Sequence, residues 1–139
     1  MSSIVQTQTT SFKKELYQGI HDLSTDTIKI ALYTASADLN AATTVYSSTN
    51  EVVASGYTAG GQVMTGVAIS SDGYTAYVNW ANVSWNTAVT ARCALIYNAS
   101  KANKSVAVLD FGSDKTSATT FLITLPANTS TTALIRSSN

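Results

Sequence analysis

The sequence has few of the residues that metal, redox and nucleic-acid sites require. Its 139 residues include one cysteine and one histidine, and its eight acidic residues balance its eight basic ones. Cys93 alone cannot form a disulfide within the chain, and one cysteine with one histidine cannot build a zinc site without several carboxylates. A nucleic-acid partner would favour a basic excess. We therefore expect no metal, no other cofactor and no nucleic-acid partner.

Long apolar runs are also lacking. No stretch approaches the length that spans a bilayer. The first ten residues are rich in Ser, Thr and Gln, without the basic start and apolar segment of a secretory signal. A lone cysteine fits a reducing compartment. We expect a protein that is made in the cytoplasm and has no membrane partner.

Charge is scarce, and Thr, Ser, Ala and Asn take its place. Charged residues make up 12% of the chain, about half of the usual share of roughly 25%. A neutral surface with few charges lacks the repulsion that keeps proteins apart in solution. This composition favours a chain that is packed in an assembly. The length favours one domain, large enough to bury a core without a disulfide.

The first part of the sequence predicts an arm and one helix. Residues 1–10 form an extended arm, either disordered or ordered against a neighbouring subunit, with Ile4 and Val5 as its apolar anchors. Residues 11–23 are expected to form a helix capped by Ser11. The apolar residues that recur at helical spacing are Phe12, Leu16, Ile20 and Leu23.

From Thr27 onward the apolar pattern changes to the period of a strand. Ile28, Ile30 and Leu32 alternate with Lys29, which predicts a strand with one buried face, and Tyr33 lies on the other face. Residues 35–50 form a long polar connection with a short edge strand near Val45 and Tyr46.

A hairpin is the clearest local prediction. Two alternating runs, QVMTGVAIS and YTAYVNW, flank Ser71-Asp72-Gly73, and Asp-Gly tolerates the positive φ angles of tight turns. The apolar residues expected to face one another across it are Val63, Val67 and Ile69 on one side and Tyr74, Ala76, Val78 and Trp80 on the other.

The remaining segments complete an all-β fold. Strands are predicted in TARCALIYN, SVAVLDFG, ATTFLITL and TTALIRSS, and ANVSW is a short link in which Val83 and Trp85 alternate. About seven to eight short strands at spacings of roughly 8–12 residues indicate a β-sandwich, with either jelly-roll or immunoglobulin-like connectivity. We expect residues 11–139 to form one β-sandwich domain that starts with the short helix.

No set of residues predicts catalysis. His21 lacks a nucleophile signature such as Gly-x-Ser-x-Gly, and Cys93 shares a strand face with Leu95 and Tyr97, as a buried structural thiol does. The aspartates are scattered singly, which is typical of turns. We expect no enzymatic activity and no catalytic residue.

Several motifs carry a resemblance to a known family. DLSTDTIKIALY at 22–33 is followed in order by SGYTAGGQVMTGVAIS, VSWNTAVTAR, ALIY and VLDFGSDKTS. This ordered set, from about Phe12 to Phe121, resembles a family of small virion structural proteins of tailed bacteriophages. The C-terminal FLITLPANTSTTALI departs from the tryptophan- and glycine-bearing last strand of that family, which leaves the final strand and its partner open.

The resemblance implies a capsid decoration (cement) protein on the outer capsid surface. Its partners would be the major capsid protein and further copies of itself, as a dimer or trimer, with assembly in the host cytoplasm. The interface residues we expect are Ile4, Val5, Phe12, Tyr46 and Tyr57. A tail, collar or fibre component is one alternative. A module that binds host or surface glycans through Tyr46, Tyr57 or Trp85 is another.

Overall fold

The computed structural model describes residues 3–138, which form ten strands and one short helix. The helix α1 spans Thr10–Tyr17. The strands are β1 (Thr7–Gln8), β2 (Ile28–Tyr33), β3 (Gln62–Val63), β4 (Ala68–Asp72), β5 (Thr75–Asn79), β6 (Val83–Trp85), β7 (Thr90–Asn98), β8 (Lys104–Thr116), β9 (Phe121–Ile123) and β10 (Ile135–Ser138). These strands pair antiparallel throughout. The predicted all-β class is confirmed.

The strands form three sheets. The largest has the order β1-β8-β7-β2-β3, the second β10-β5-β4, and the third contains β6 and β9. In the largest sheet, β2 pairs with β7 from Ile28–Asn98 to Tyr33–Cys93. The segment ANVSW, predicted as a link with alternating residues, contains β6. The C-terminal strand β10 finds its partner in β5.

The main core joins one face of the five-stranded sheet to the two smaller sheets and to α1. It contains Ile28, Ile30 and Leu32 from β2, as the alternation predicted, together with Phe12 from the helix. The smaller sheets contribute Val78, Val83, Trp85, Phe121, Ile123 and Ile135. The sandwich with jelly-roll or immunoglobulin-like connectivity stays a prediction.

The prediction of a half-buried first strand is wrong, because both faces of β2 are covered. Ala31 and Tyr33 belong to a second apolar cluster with Cys93, Leu95 and Tyr97 of β7. Ala37 and Leu39, from the connection that follows β2, complete the cover, and Ile4 packs against it. A polar connection thus closes the second face of the sheet with a few apolar side chains.

The helix is shorter than predicted. It begins at Thr10 and ends at Tyr17, eight residues in all. Thr9 is its N-cap, since the Thr9 hydroxyl accepts a hydrogen bond from the Phe12 N–H. Such a bond gives a partner to an amide of the first turn that has none within the helix. Gly19 has a φ of +71° and ends the helix in the left-handed conformation. Within residues 3–138, no helix has the length and apolar character needed to cross a membrane.

The hairpin is confirmed, with a shifted turn. β4 and β5 pair from Ala68–Asn79 to Asp72–Thr75, so the turn residues are Gly73 and Tyr74. Gly73 has a φ of +60°, as the first central position of a type II′ turn requires. Of the apolar residues predicted to face across it, only Ile69 and Val78 form a pair. Val63, Val67 and Tyr74 are exposed.

Candidate functional site

The predicted interface residues lie in different environments. Phe12 is fully buried and Tyr57 is 8% exposed, both in the main core. A partner cannot contact these two side chains on the folded chain, which corrects the prediction for them. Ile4 is half-buried against the second cluster, while Val5 is 50% exposed.

The predicted arm is ordered by its own chain over the described residues 3–10. Val5 N–H donates to the Leu39 carbonyl at 2.9 Å, and β1 pairs with β8 at Thr7–Val108. The first two residues of the arm lie outside the described part. A role of this segment in contacting a neighbouring subunit stays a prediction, with Val5 as its most accessible apolar side chain.

Tyr46, the remaining predicted residue, belongs to a cluster around a buried carboxylate. Glu51 is 6% exposed. It accepts hydrogen bonds from the Tyr46 and Tyr57 hydroxyls, each at 2.6 Å, and from the Gly60 N–H at 2.8 Å. Tyr97 donates to the Gly60 carbonyl at 2.5 Å, and its ring stacks on Tyr46 at 4.7 Å. We call these residues the Glu51 cluster.

Hydrogen bonds in and beside the Glu51 cluster connect the loops that follow β2 to the five-stranded sheet. The Tyr57 hydroxyl, besides donating to Glu51, accepts from the Leu32 N–H at 2.9 Å. Tyr33 donates to the Ser47 carbonyl at 2.6 Å. Burial raises the pKa of Tyr33, Tyr46 and Tyr57, and the Glu51 charge adds to each effect. These hydroxyls therefore remain protonated donors, and the GYTAGG motif has a structural role here.

Replacing Glu51 by glutamine should lower the free energy of unfolding by about 1–3 kcal/mol, the usual cost of a buried polar group that loses its partner. The glutamine amide keeps one acceptor oxygen but presents a donor to the second tyrosine hydroxyl. Urea titration followed by tryptophan fluorescence measures the change. Asp38→Asn serves as the matched control, because Asp38 is exposed. An equal effect of both substitutions would contradict the role of Glu51.

The cluster also predicts a loss of stability at high pH. Burial, and then the Glu51 charge, raise the pKa of Tyr97 to about 12, against about 10 in an unfolded chain. A raised pKa stabilises the folded state fully below pH 10, and this contribution is lost as the pH rises through 12. Thermal unfolding between pH 8 and 12, followed by circular dichroism, should show the decline. Tyr97→Phe should make the decline less steep without abolishing it, because Tyr33, Tyr46 and Tyr57 also have raised pKa values; an unchanged slope would exclude Tyr97 as a contributor.

The only histidine is held in a structural network. The His21 Nε2 lies 2.8 Å from Glu15 Oε1, and its Nδ1 lies 3.0 Å from Asn98 Nδ2. The same Asn98 amide donates to Asp26 at 2.8 Å, and Lys101 pairs with Asp26. Burial opposes ionisation of Asp26, but the hydrogen bonds from Asn98, the Asp22 N–H and Lys101 outweigh it and lower its pKa to about 2.

This network ties the DLSTD segment to the end of β7, and both ring nitrogens of His21 have partners other than a hydroxyl or thiol. Cys93 is fully buried, and burial raises the pKa of its thiol to about 12. A thiol with a raised pKa is a poor nucleophile. The absence of enzymatic activity stays a prediction.

An open groove lies between β8 and the 120–134 region. It has a volume of about 600 Å³. Its lining is mixed. The apolar residues are Leu109, Phe111, Phe121, Leu122, Ile123, Leu125, Pro126 and Leu134, and the polar ones include Lys115, Thr116, Ser117, Thr120 and Thr124. Leu122 is 57% exposed, and Gln6 of the N-terminal segment lies at the border. We call this the β8–β9 groove.

The β8–β9 groove was not predicted from the sequence. One signal was present, since Leu122 lies between Thr120 and Thr124 on the polar side of an alternating strand. An apolar residue on such a side is a candidate for contact with another protein. The rest of the groove depends on how β8 passes the 120–134 region, which no local pattern encodes.

The aromatic residues predicted to bind glycans are not free to do so. Trp85 is 3% exposed and Tyr57 is 8% exposed, while Tyr46 is half-buried beneath its stacking contact with Tyr97. The two most exposed aromatic side chains are Tyr17 and Tyr74, at 94% and 86%. The burial of Trp85 and Tyr57 argues against these two as glycan contacts, and a glycan partner stays a prediction.

Comparison of the chain with models of known families, with curated proteins and with solved structures gives no match. The resemblance to small virion proteins of tailed bacteriophages stays a prediction from the ordered motifs.

Proposed function

We propose that this chain is a non-enzymatic structural protein of a tailed bacteriophage virion that decorates the outer face of the capsid shell. It binds the major capsid protein, stabilises the shell, and forms homo-oligomers. The observation that supports a protein partner most directly is the β8–β9 groove, where Leu122 is 57% exposed and Phe111 and Leu134 are only partly buried. Apolar surface of this kind marks sites of contact with other proteins.

The charge pattern also supports a role in an assembly. Within residues 3–138, Asp110 and Asp26 form ion pairs with Arg92 and Lys101, Glu15 is hydrogen-bonded to His21, and Glu51 accepts hydrogen bonds from two tyrosines. A surface with few free charges has little electrostatic cost of close packing against neighbours.

The motifs that carry the resemblance correspond to parts that make the domain rigid. DLSTD forms the Asp26 network, and GYTAGG holds the Glu51 cluster. A decoration protein needs a rigid domain because flexible groups must lose conformational entropy on binding. The β8–β9 groove would receive an apolar segment of the capsid protein, with the N-terminal segment at its border.

Cryo-electron microscopy of the particle that contains this chain tests the proposal, with capsid and tail reconstructed separately. Density of this domain at regular positions over the shell, and hundreds of copies per particle, is the expected result. Density confined to the tail or collar would replace the proposal with the tail-component alternative. Absence from the particle would overturn both.

A substitution in the β8–β9 groove tests how the shell is bound. Leu122→Lys should lower the occupancy of purified protein on undecorated capsids, because a lysine cannot bury its charge in an apolar contact without a partner. Val53→Lys is the matched control, since Val53 is 98% exposed and lies outside the groove. Equal occupancy of the two variants would exclude the groove as the capsid contact.

A further inference from the structure

The strand β4 has an open edge. Within residues 3–138, six strands end a sheet: β1, β3, β4, β6, β9 and β10. β4 is the longest of them at five residues, while the others have two to four. β10, the next in length, is approached by the N-terminal segment, whose Gln8 side chain lies 3.4 Å from the Arg136 carbonyl.

The backbone of β4 has unused hydrogen-bonding groups on its outer side. Residues that flank a two-residue turn form a hydrogen-bonded pair, and the pairs then alternate along the hairpin. Asp72–Thr75, Ser70–Tyr77 and Ala68–Asn79 are therefore the bonded pairs. The backbone groups of Ile69 and Ser71 point to the open side.

The devices that commonly protect an edge are missing from β4. Natural sheets protect exposed edges with proline, lysine, bulges or a covering segment. The sequence AISSD contains neither proline nor lysine, and its pairing with β5 has no register shift. Ile69, 56% exposed, and Val67, 36% exposed, add apolar surface beside the edge.

We infer that β4 pairs with β4 of a second copy of this chain, antiparallel about a two-fold axis at Ser70. Ile69 of each copy then exchanges backbone hydrogen bonds with Ser71 of the other copy. The sheet β10-β5-β4 becomes a continuous sheet of six strands across the dimer. The two Ile69 side chains lie on one face as diagonal neighbours, within contact distance for a side chain of this size.

Charge and symmetry favour this occupant and this direction. Asp72 is the only charged residue of β4. In the antiparallel pair, Asp72 of each copy lies opposite Ala68 of the other. The two Asp72 carboxylates are then about 14 Å apart along the strands, because four residues separate them at a rise of about 3.4 Å per residue. Parallel pairing in register would place the carboxylates side by side. A two-fold pair also uses the β4 edge of both copies, so that no open β4 edge remains for a third copy. A head-to-tail contact would leave one free and would propagate into filaments.

The inference rests on the proposed function, which includes a homo-oligomer, and it specifies that oligomer as a dimer formed through β4. It is tested on purified full-length protein without capsids, so its failure would not affect capsid binding. Sedimentation equilibrium should give twice the monomer mass. A monomer at every concentration at which the chain stays soluble, or a trimer, would overturn it.

Two variants test the edge itself. Ser71→Pro removes an N–H that β5 does not use, so the hairpin should be retained. The two-fold symmetry means that two intermolecular hydrogen bonds are lost, one from each copy, and the dimer dissociation constant should rise at least about tenfold, the equivalent of about 1.4 kcal/mol. Ile69→Lys should act in the same direction, and it replaces Ser71→Pro if that variant fails to fold. Val53→Lys is the control and should remain dimeric, because Val53 is 98% exposed and lies outside β4 and the β8–β9 groove. A dimer of unchanged affinity in a folded Ser71→Pro or Ile69→Lys variant would exclude β4.

A cross-link tests the register. Ser70 is exposed and lies at the two-fold axis in a non-hydrogen-bonded pair, where Cα atoms are about 4.5 Å apart, within the range that a disulfide spans. Ser70→Cys should therefore form a covalent dimer under mild oxidation. Ser113→Cys, also exposed, should not. Cross-linking of both variants to the same extent would overturn the proposed register.

Discussion

Replacing Gly61 by alanine should lower the free energy of unfolding by about 2–6 kcal/mol, from backbone strain and overpacking that each cost about 1–3 kcal/mol. Gly61 has a φ of +78°, a conformation that side chains disfavour. A Cβ at this position would overlap the carbonyl group of Ile30 in β2. The obstacle is backbone of a buried strand, so it cannot move aside at low cost.

Gly73→Ala provides the matched control for this substitution. Gly73 also has a positive φ, +60°, but a Cβ there meets nothing within 4 Å. It should cost only the strain, about 1–3 kcal/mol. Chemical denaturation of both variants gives the midpoint and slope of each unfolding transition. The difference between the two losses of stability measures the overlap of the residue 61 Cβ with Ile30, apart from the backbone strain that both variants share. Equal losses would show that the Gly61 loop moves away from β2 and that the close approach is not required for stability.

Gly61 also illustrates what the sequence could predict and what it could not. The glycines of GYTAGG predict a tight turn from local chemistry alone, and Gly56, Gly60 and Gly61 all adopt positive φ. The reason for a glycine at 61 in particular is the passage of β2, more than thirty residues earlier in the chain. Such a contact between distant segments leaves no local pattern.

Periodicity located the strand faces more reliably than it located boundaries. The alternation in TIKIALY placed Ile28, Ile30 and Leu32 together, and they share the main core. The helix prediction extended six residues too far because Ile20 and Leu23 continue the apolar spacing past Gly19. Leu23 does pack against the core, but it does so from the turn that follows the helix.

The candidate sites were harder to predict because their residues come from separate segments. No local motif singles out Glu51, yet tyrosines from the 35–50 connection and the GYTAGG loop both donate hydrogen bonds to it. In the same way, the predicted interface residues Phe12 and Tyr57 were aromatic residues whose burial depends on elements far along the chain. The open edge of β4 was visible only once the order of strands was known.

Replacing Ile30 by alanine should lower the free energy of unfolding by about 2–5 kcal/mol, the usual cost of truncating a buried isoleucine. Ile30 is fully buried in the main core, and it lies in β2 between β3 and β7, paired with Gln62 and Ile96. The loss combines the lost burial of apolar atoms with the cavity left behind, since strands paired on both sides have little freedom to collapse into it.

Val53→Ala is the control for this truncation, because Val53 is 98% exposed and a surface substitution of this kind changes stability by within about 0.5 kcal/mol. Both variants can be compared by urea denaturation at one dilute protein concentration, so that self-association does not contribute. A loss below about 0.5 kcal/mol for Ile30→Ala, typical of a surface position, would contradict the burial of Ile30. Because both faces of β2 are covered by apolar clusters, such a result would mean that β2 does not occupy the centre of the five-stranded sheet.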